Sequence, residues 1–457
     1  MLARRPTRLG FAARRSLALP AFVVAAVATL HPAARAQFGG FGVRSVGGIA
    51  IDAEGIVQNV EPRALETLAE ERRDALAGQS LPAAATELRK VSLAQVIAAV
   101  GRATAAGGPV AADVALLGGL ERITHVFVDP EAHDIVLAGP GGAPTVDAAG
   151  TLVAAQSGRP LLHLEDLVTA LRAIDGARQG GMTCSIDPTP EGIARVKRFL
   201  AANRSIGSRP DAVLRGMEEA IGLQKISVDG IPADSRFARV LVAADYRLKR
   251  IGMGLEASGI DALPSYLALI PPGRNAAAIP RFWLEADYDP IAHDPDKLAW
   301  RIAGRRMKCL TQSRALAAEG ERAGAADPIA DRWCQAMTVH YDAVAAKHPI
   351  FSELVGCVDL AVVAALIQGQ QLAARAGLDL GPLLDAEKLP LPAYEVASSV
   401  PTVANGVKKG SAWVVSASGG VLLQPWEFAT NLVSRSDVAP IRAGALDSRP
   451  ADGWWWD

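Results

Sequence analysis

The sequence predicts an α+β fold in which helices and strands are mixed and grouped into several modules. Three observations carry this. Residues 122–140 alternate as a β-hairpin. Leu93, Val96, Ile97 and Val100, and later Phe237, Val240, Leu241, Ala244, Leu248 and Ile251, keep helical spacing. No segment repeats at a fixed period, which excludes a solenoid or propeller. The chain has 457 residues, of which 50% are hydrophobic and 21% charged. That is enough apolar material for real cores and excludes a disordered chain. A formal charge of −1 excludes a generally basic nucleic-acid binder.

The elements follow in order. Residues 46–60 read as a short hairpin turning at Ala53-Glu54-Gly55, and a helix follows from Pro62 to about Ala77. Ser92 and Gln95 form a capping box, in which a hydroxyl and a side-chain amide satisfy orphan backbone donors of the next helix. The hairpin at 122–140 turns over 129–134, and residues 139–158, rich in Gly and Ala, read as a loop or boundary. Leu164, Leu167, Val168 and Leu171 mark a helix ending at Gly176; Thr189-Pro190-Glu191 starts another, and Ser208 with Pro210 a third. Residues 224–229 alternate as a strand, and Ser235 caps a long helix. Residues 281–287 and 299–310 read as two strands around an acidic loop, 319–325 as a polar break, 330–376 as mostly helical and 388–401 as a linker. Residues 411–423 read as β-structure bent at Gly419-Gly420, before a tail that ends Trp454-Trp455-Trp456-Asp457. The modules expected are 37–145 (α+β), 160–310 (αβ), 311–440 (helical, closed by β-structure) and the tail 441–457.

Residues 1–36 are a different polymer. Arg4, Arg5, Arg8, Arg14 and Arg15 precede a 15-residue apolar run, and Ala34-Arg35-Ala36 supplies small residues where a signal peptidase cuts. This is the pattern of a secretory signal, with cleavage expected after Ala36 and an exported product, periplasmic or at the cell surface. Removing six arginines and no acid takes the charge from −1 to −7. No transmembrane span is expected in the mature chain, where residues 360–367 are the longest strongly apolar stretch. Cys184, Cys309, Cys334 and Cys357 then face an oxidising compartment; they are candidate disulfide cysteines with three connectivities open, or buried thiols.

Recognisable catalytic signatures are missing. The sequence has no phosphate-binding G-x-x-x-x-G-K-[ST], no H-E-x-x-H zinc pair, no G-x-S-x-G elbow and no C-x-x-C-H haem site. The densest polar cluster is 285–296. Asp287, Asp289 and Asp294 are the candidate metal ligands there, because Ca²⁺ takes six to eight oxygens; the bland reading is a solvated acidic loop. Calcium is the one candidate cofactor. Asp245 and Lys249 stand at i,i+4, the spacing of a solvated helix pair. His125 and His163 read as ordinary strand-edge and cap residues, and Asp187 and Glu191 as helix-start acids. The Trp tail reads as a frayed end or as an anchor for a membrane surface, a partner or a sugar.

Several strings together resemble a family of exported proteins of unknown function found mainly in planctomycete bacteria. They are Gly-Ile-Ala-Ile-Asp-Ala-Glu-Gly-Ile at 48–56, Val-Phe-Val-Asp-Pro at 126–130 with 134–140, Cys-Ser-Ile-Asp-Pro-Thr-Pro-Glu-Gly at 184–192, residues 237–249 and Pro-Thr-Val-Ala-Asn at 401–405. The resemblance spans 47–425 and implies export and a bacterial envelope setting; it implies no activity, cofactor or catalytic residue. The leading expectation is an exported, non-enzymatic binding or envelope-associated protein whose partner is an envelope protein or glycan, not nucleic acid. The alternative is a carboxylate-dependent hydrolase of envelope polysaccharide or peptide.

Overall fold

The computed structural model describes residues 45–203, 210–271, 276–311, 327–406, 412–414, 416–450 and 453–457. The residues expected to form a signal (1–36), residues 37–44 and the expected polar break at 319–325 lie outside them. The class is α+β, as predicted.

Strands β1 (Ile49–Ile51) and β2 (Val57–Asn59) form the first hairpin, followed by helix α1 (Pro62–Leu76), β3 (Thr86–Ser92) and α2 (Leu93–Ala106). Next come α3 (Ala112–Ala115), the hairpin β4 (His125–Asp129) and β5 (Asp134–Gly141), a small hairpin β6 (Pro144–Val146) and β7 (Leu152–Ala154), and α4 (Leu164–Ala173). Strand β8 (Met182–Pro188) leads to α5 (Pro190–Ala202), α6 (Pro210–Ile221), β9 (Leu223–Asp229), α7 (Arg236–Gly252) and α8 (Tyr266–Leu269). Five strands follow: β10 (Ala276–Ala278), β11 (Arg281–Asp287), β12 (Ile291–His293), β13 (Ala299–Arg301) and β14 (Arg306–Thr311). The helices α9 (Pro328–Val339), α10 (Tyr341–Lys347), α11 (Ile350–Gly369), α12 (Leu372–Ala376) and α13 (Gly381–Leu384) precede β15 (Ser399–Pro401) and β16 (Asn405–Gly406). The chain closes with β17 (Ala412–Val414), β18 (Ser418–Leu423), α14 (Pro425–Thr430), β19 (Leu432–Ser434), α15 (Ala439–Asp447) and β20 (Trp455–Trp456).

Two mixed sheets organise the fold. One has the order β14-β11-β18-β8-β9-β15, the other β19-β12-β13-β4-β5-β3-β20. Each draws strands from widely separated parts of the chain, and the described residues belong to one compact unit, Arg35–Asp457. Helix α7 lies on β8, β18 and β11, and α11 packs on α4, α7 and α14. One hydrophobic cluster joins both sheets and these helices.

Local chemistry explains the boundaries. The hydroxyls of Ser92, Thr189 and Ser235 accept the amides of Gln95, Gly192 and Ala238, and so start α2, α5 and α7. Strands β8 and β11 bury alternate residues, the pattern of a sheet covered on one face.

Several expectations are corrected. Residues 139–158 contain the β6–β7 hairpin rather than only loop. The predicted strand 299–310 is two strands in different sheets; β13 pairs with β4, while β14 pairs with β11. The break falls where Gly304 takes φ +119 and Arg306 takes φ +81. Gly419 and Gly420 are not a bend but lie inside β18, between β11 and β8. A Cβ on Gly420 would stand 1.8 Å from the Cys184 carbonyl oxygen, so only glycine fits. His125 is on an interior strand, between β13 and β5. The apolar stretch around 360–367 belongs to the 20-residue α11, long and apolar enough by composition to cross a bilayer; 94% of its most apolar window is buried inside the fold. The tail is not frayed: Trp455 and Trp456 pair with Val91 and Lys90 as β20, and the Trp456 ring nitrogen donates to the Ala445 carbonyl.

Candidate functional site

Three helix N-termini converge on one guanidinium. Arg236 is the first residue of α7. Glu165 and Asp166 lie in the first turn of α4, and Glu353 in the first turn of α11. Acids are favoured at these positions by the backbone dipole, whereas an arginine is not. Arg236 resides there because it bridges the acids: its Nη1 donates to Asp166, its Nη2 to Glu353, and its Nε lies 3.9 Å from Glu165. The Tyr394 hydroxyl donates to Glu165 at 3.2 Å, and His163 Nδ1 is 3.8 Å from the same carboxyl group.

The group is buried, and burial sets its electrostatics. Burial, then the Asp166 charge, pushes the Glu165 carboxyl up to about 7. Burial likewise raises Asp166 and Glu353 against the pull of Arg236. Burial also opposes the charge of Arg236, but Asp166, Glu353 and Glu165 together outweigh it and its pKa rises. The His163 imidazole is driven well below its usual value by burial and by the Arg236 and Arg72 charges. Arg72 is the second cation in the electrostatic field of Glu353 and Glu165. Two guanidiniums facing three carboxyl groups balance when Glu165 carries its proton.

A cleft of about 310 Å³ opens where the β1–β2 hairpin meets α7 and the α10–α11 junction. Its lining includes Gly47, Arg247, Glu256, Lys347 and His348. Arg247 pairs with Glu256 at 2.5 Å and donates to the Gly47 carbonyl at 3.1 Å, so the hairpin is tied to α7. Gly47 sits at φ +61, and a Cβ there would stand 2.6 Å from Ile350 Cδ1. His348 Nδ1 is 3.5 Å from Glu256. Lys347 is exposed and, among the described residues, has no ion-pair partner.

Two further ionic centres are sealed in the core. Lys249 Nζ donates to Asp245 at 2.6 Å, to the Ile186 carbonyl at 2.9 Å and to the Gly419 carbonyl at 3.1 Å. This corrects the expectation of a solvated pair, since Asp245 is 0% and Lys249 5% exposed. Asp359 accepts from Tyr288 and Arg306, each at 2.7 Å, and from the Ile123 amide at 3.1 Å.

The other predicted residues are dispersed. Asp287 ends β11, 3.6 Å from Arg305. The Asp289 amide donates to Ala303, and the buried Asp294 carboxylate accepts the Leu298 and Ala299 amides at 2.7 and 2.9 Å as a turn cap. Among the described residues, no three His, Cys, Asp or Glu side chains are grouped to hold a metal ion. Asp187 lies 3.4 Å from Arg281 and accepts the Gly419 amide. Burial, with Arg301 and Arg306, pushes His125 down to about 4. All four cysteines are buried and unbridged in this structure. The Arg236 centre was missed because its members are far apart in sequence: Asp166 lies 70 and Glu353 117 positions from Arg236, and Tyr394 lies 229 from Glu165. The adjacent Glu165-Asp166 after a helix start was the signal available.

A family model described as a protein of unknown function (DUF1598) matches residues 184–266, from β8 to α8. That span contains Arg236, Asp245 and Lys249. The chain thus carries a domain of unknown function on an α+β fold. No curated protein and no solved structure gave a match.

Proposed function

We propose that the chain is an exported, non-enzymatic binding protein of the bacterial cell envelope, with its ligand seated in the cleft beside Lys347. The N-terminal sequence pattern supports export. The observation that carries the binding reading is the division of charges: Arg236, Lys249 and Arg306 are spent on buried partners, whereas Lys347 lines an open cleft, exposed and with no ion-pair partner among the described residues. An unpaired ammonium beside a fixed Arg247–Glu256 pair suits a ligand bearing carboxylates, as acidic envelope glycans do. Titrating the full chain with envelope glycan fragments in a calorimeter tests this. Saturable binding that weakens about tenfold in K347E, the loss of one exposed-rim charge contact of roughly 1.4 kcal/mol, supports it. No saturable heat, or heat indifferent to K347E, removes it.

A second reading, a carboxylate-dependent hydrolase, is favoured by one feature. The Glu165 carboxyl, pushed up to about 7, sits next to Asp166 and has the protonation a general acid needs near neutrality. Glycan or peptide cleavage by the full chain that is lost in E165Q would establish it; cleavage absent from wild type removes it.

A further inference from the structure

Cys309 and Cys334 have their sulfurs 3.4 Å apart. Cys309 lies on β14 and Cys334 on α9, one strand and one helix packed directly on each other. Thr338, one turn beyond Cys334, fixes the approach: its hydroxyl oxygen accepts the Cys309 amide at 2.8 Å, and its hydroxyl lies 2.8 Å from the Cys334 carbonyl. Both thiols are 2% exposed. The two sulfurs are already in contact, so a small rotation of the side chains would bring them to bonding distance without moving the backbone far. The remaining cysteines are placed differently. Cys184 is on β8 in the field of Asp245 and Lys249, and Cys357 is on α11 against Asp166.

We propose that Cys309 and Cys334 are a disulfide-forming pair, and that Cys184 and Cys357 stay thiols. The geometry supplies one bridge, between Cys309 and Cys334, rather than any of the three connectivities that would use all four cysteines. The oxidant is a small-molecule or protein disulfide of the exported compartment, with glutathione disulfide as its simplest form. One cysteine thiolate attacks the oxidant's S–S bond, giving a mixed disulfide and releasing one glutathione thiolate. The second cysteine thiolate then displaces the other glutathione. Two S–H bonds are lost and one S–S bond forms; the two protons and two electrons end on two molecules of glutathione. Burial raises the Cys309 thiol well above its usual pKa, so exchange is slow in the closed fold and belongs to folding, while β14 and α9 are still separable.

The test is to fold the full chain in a glutathione/glutathione-disulfide buffer, alkylate it under denaturing conditions and digest it without reduction. A cross-linked species of tryptic peptides 309–314 and 333–347 is expected, with free thiols falling from four to two. In the single variant C334S three free thiols are expected, whereas a bridge between Cys184 and Cys357 would leave one; the cross-linked peptides of the wild type tell Cys309 from the other partners Cys334 could have. C309S gives a second, independent reading should C334S fold poorly. Four alkylated thiols in the oxidised, folded wild type, or a cross-link through Cys184 or Cys357, overturns the proposal.

Discussion

Lys249 Nζ lies 2.6 Å from Asp245 Oδ2, and both side chains are enclosed between α7 and the β8–β18 strands. All three ammonium protons have acceptors, while Asp245 Oδ1 has none among the described residues. Removing either member strands the other. D245N and K249M are each expected to cost about 3–5 kcal/mol, and the double variant less than the sum of the two. Urea unfolding of the three variants checks this; additive losses would mean that the pair is not coupled.

Arg236 is the second such dependency. R236M leaves Glu165, Asp166 and Glu353 facing one another without their shared guanidinium, with Arg72 still in the field of Glu353 and Glu165. A loss of about 3–5 kcal/mol is expected, with R236K intermediate because an ammonium cannot span both partners as a fork. Thermal melts at one pH rank the three proteins.

The pH dependence follows from Glu165. Its carboxyl is raised from 4.5 to about 7 on folding, so between these values the folded state holds a proton that the unfolded chain releases. Stability therefore falls as pH rises through that window, and the contribution is gone above it. E165Q, which keeps an acceptor for Tyr394 and cannot titrate, is expected to flatten the melting temperature between pH 5 and 8 relative to wild type. An unchanged slope would place the titration elsewhere, with Asp245, also raised to about 7, the next to replace.

Gly420 has no room for a methyl group. G420A puts a Cβ against the Cys184 carbonyl and G419A one against Phe282, 2.0 Å from its oxygen. Each forces β18 away from a neighbour, at a cost of about 3 kcal/mol or more. Denaturant midpoints test it, with G444A on α15, where a Cβ meets nothing within 4 Å, as the control.

Trp456 is 5% exposed and packs with Phe127, Val136 and Ala138. W456A is expected to cost about 3 kcal/mol, read as a lower melting temperature. The Trp tail is thus internal structure before it is an anchor.

The elements legible in the sequence are those that local chemistry decides. Ser92, Thr189 and Ser235 cap helices because a hydroxyl needs only an amide three residues on. The β4–β5 hairpin is set by alternation and its own turn. What failed depends on distant neighbours. The i,i+4 spacing of Asp245 and Lys249 gives their contact but not the layer above it, which comes from β8 and β18. Gly419-Gly420 signals a tight place, and only the flanking strands show that the tightness is between strands rather than at a corner. The Arg236 centre, assembled from α4, α7 and α11, has no local signature beyond two adjacent acids.

The seven-stranded sheet has a consequence for the order of events in folding. Its two outermost strands, β19 and β20, both come from residues 432–456, and they close over β12 and β3, each made more than a hundred residues earlier. Until that last stretch arrives, two backbone edges stand open to pairing with other chains. Such long-distance closure is intrinsically slow. A chain emerging from its N-terminus would thus spend nearly its whole synthesis with both flanks unsealed, the interval in which a holding chaperone matters most.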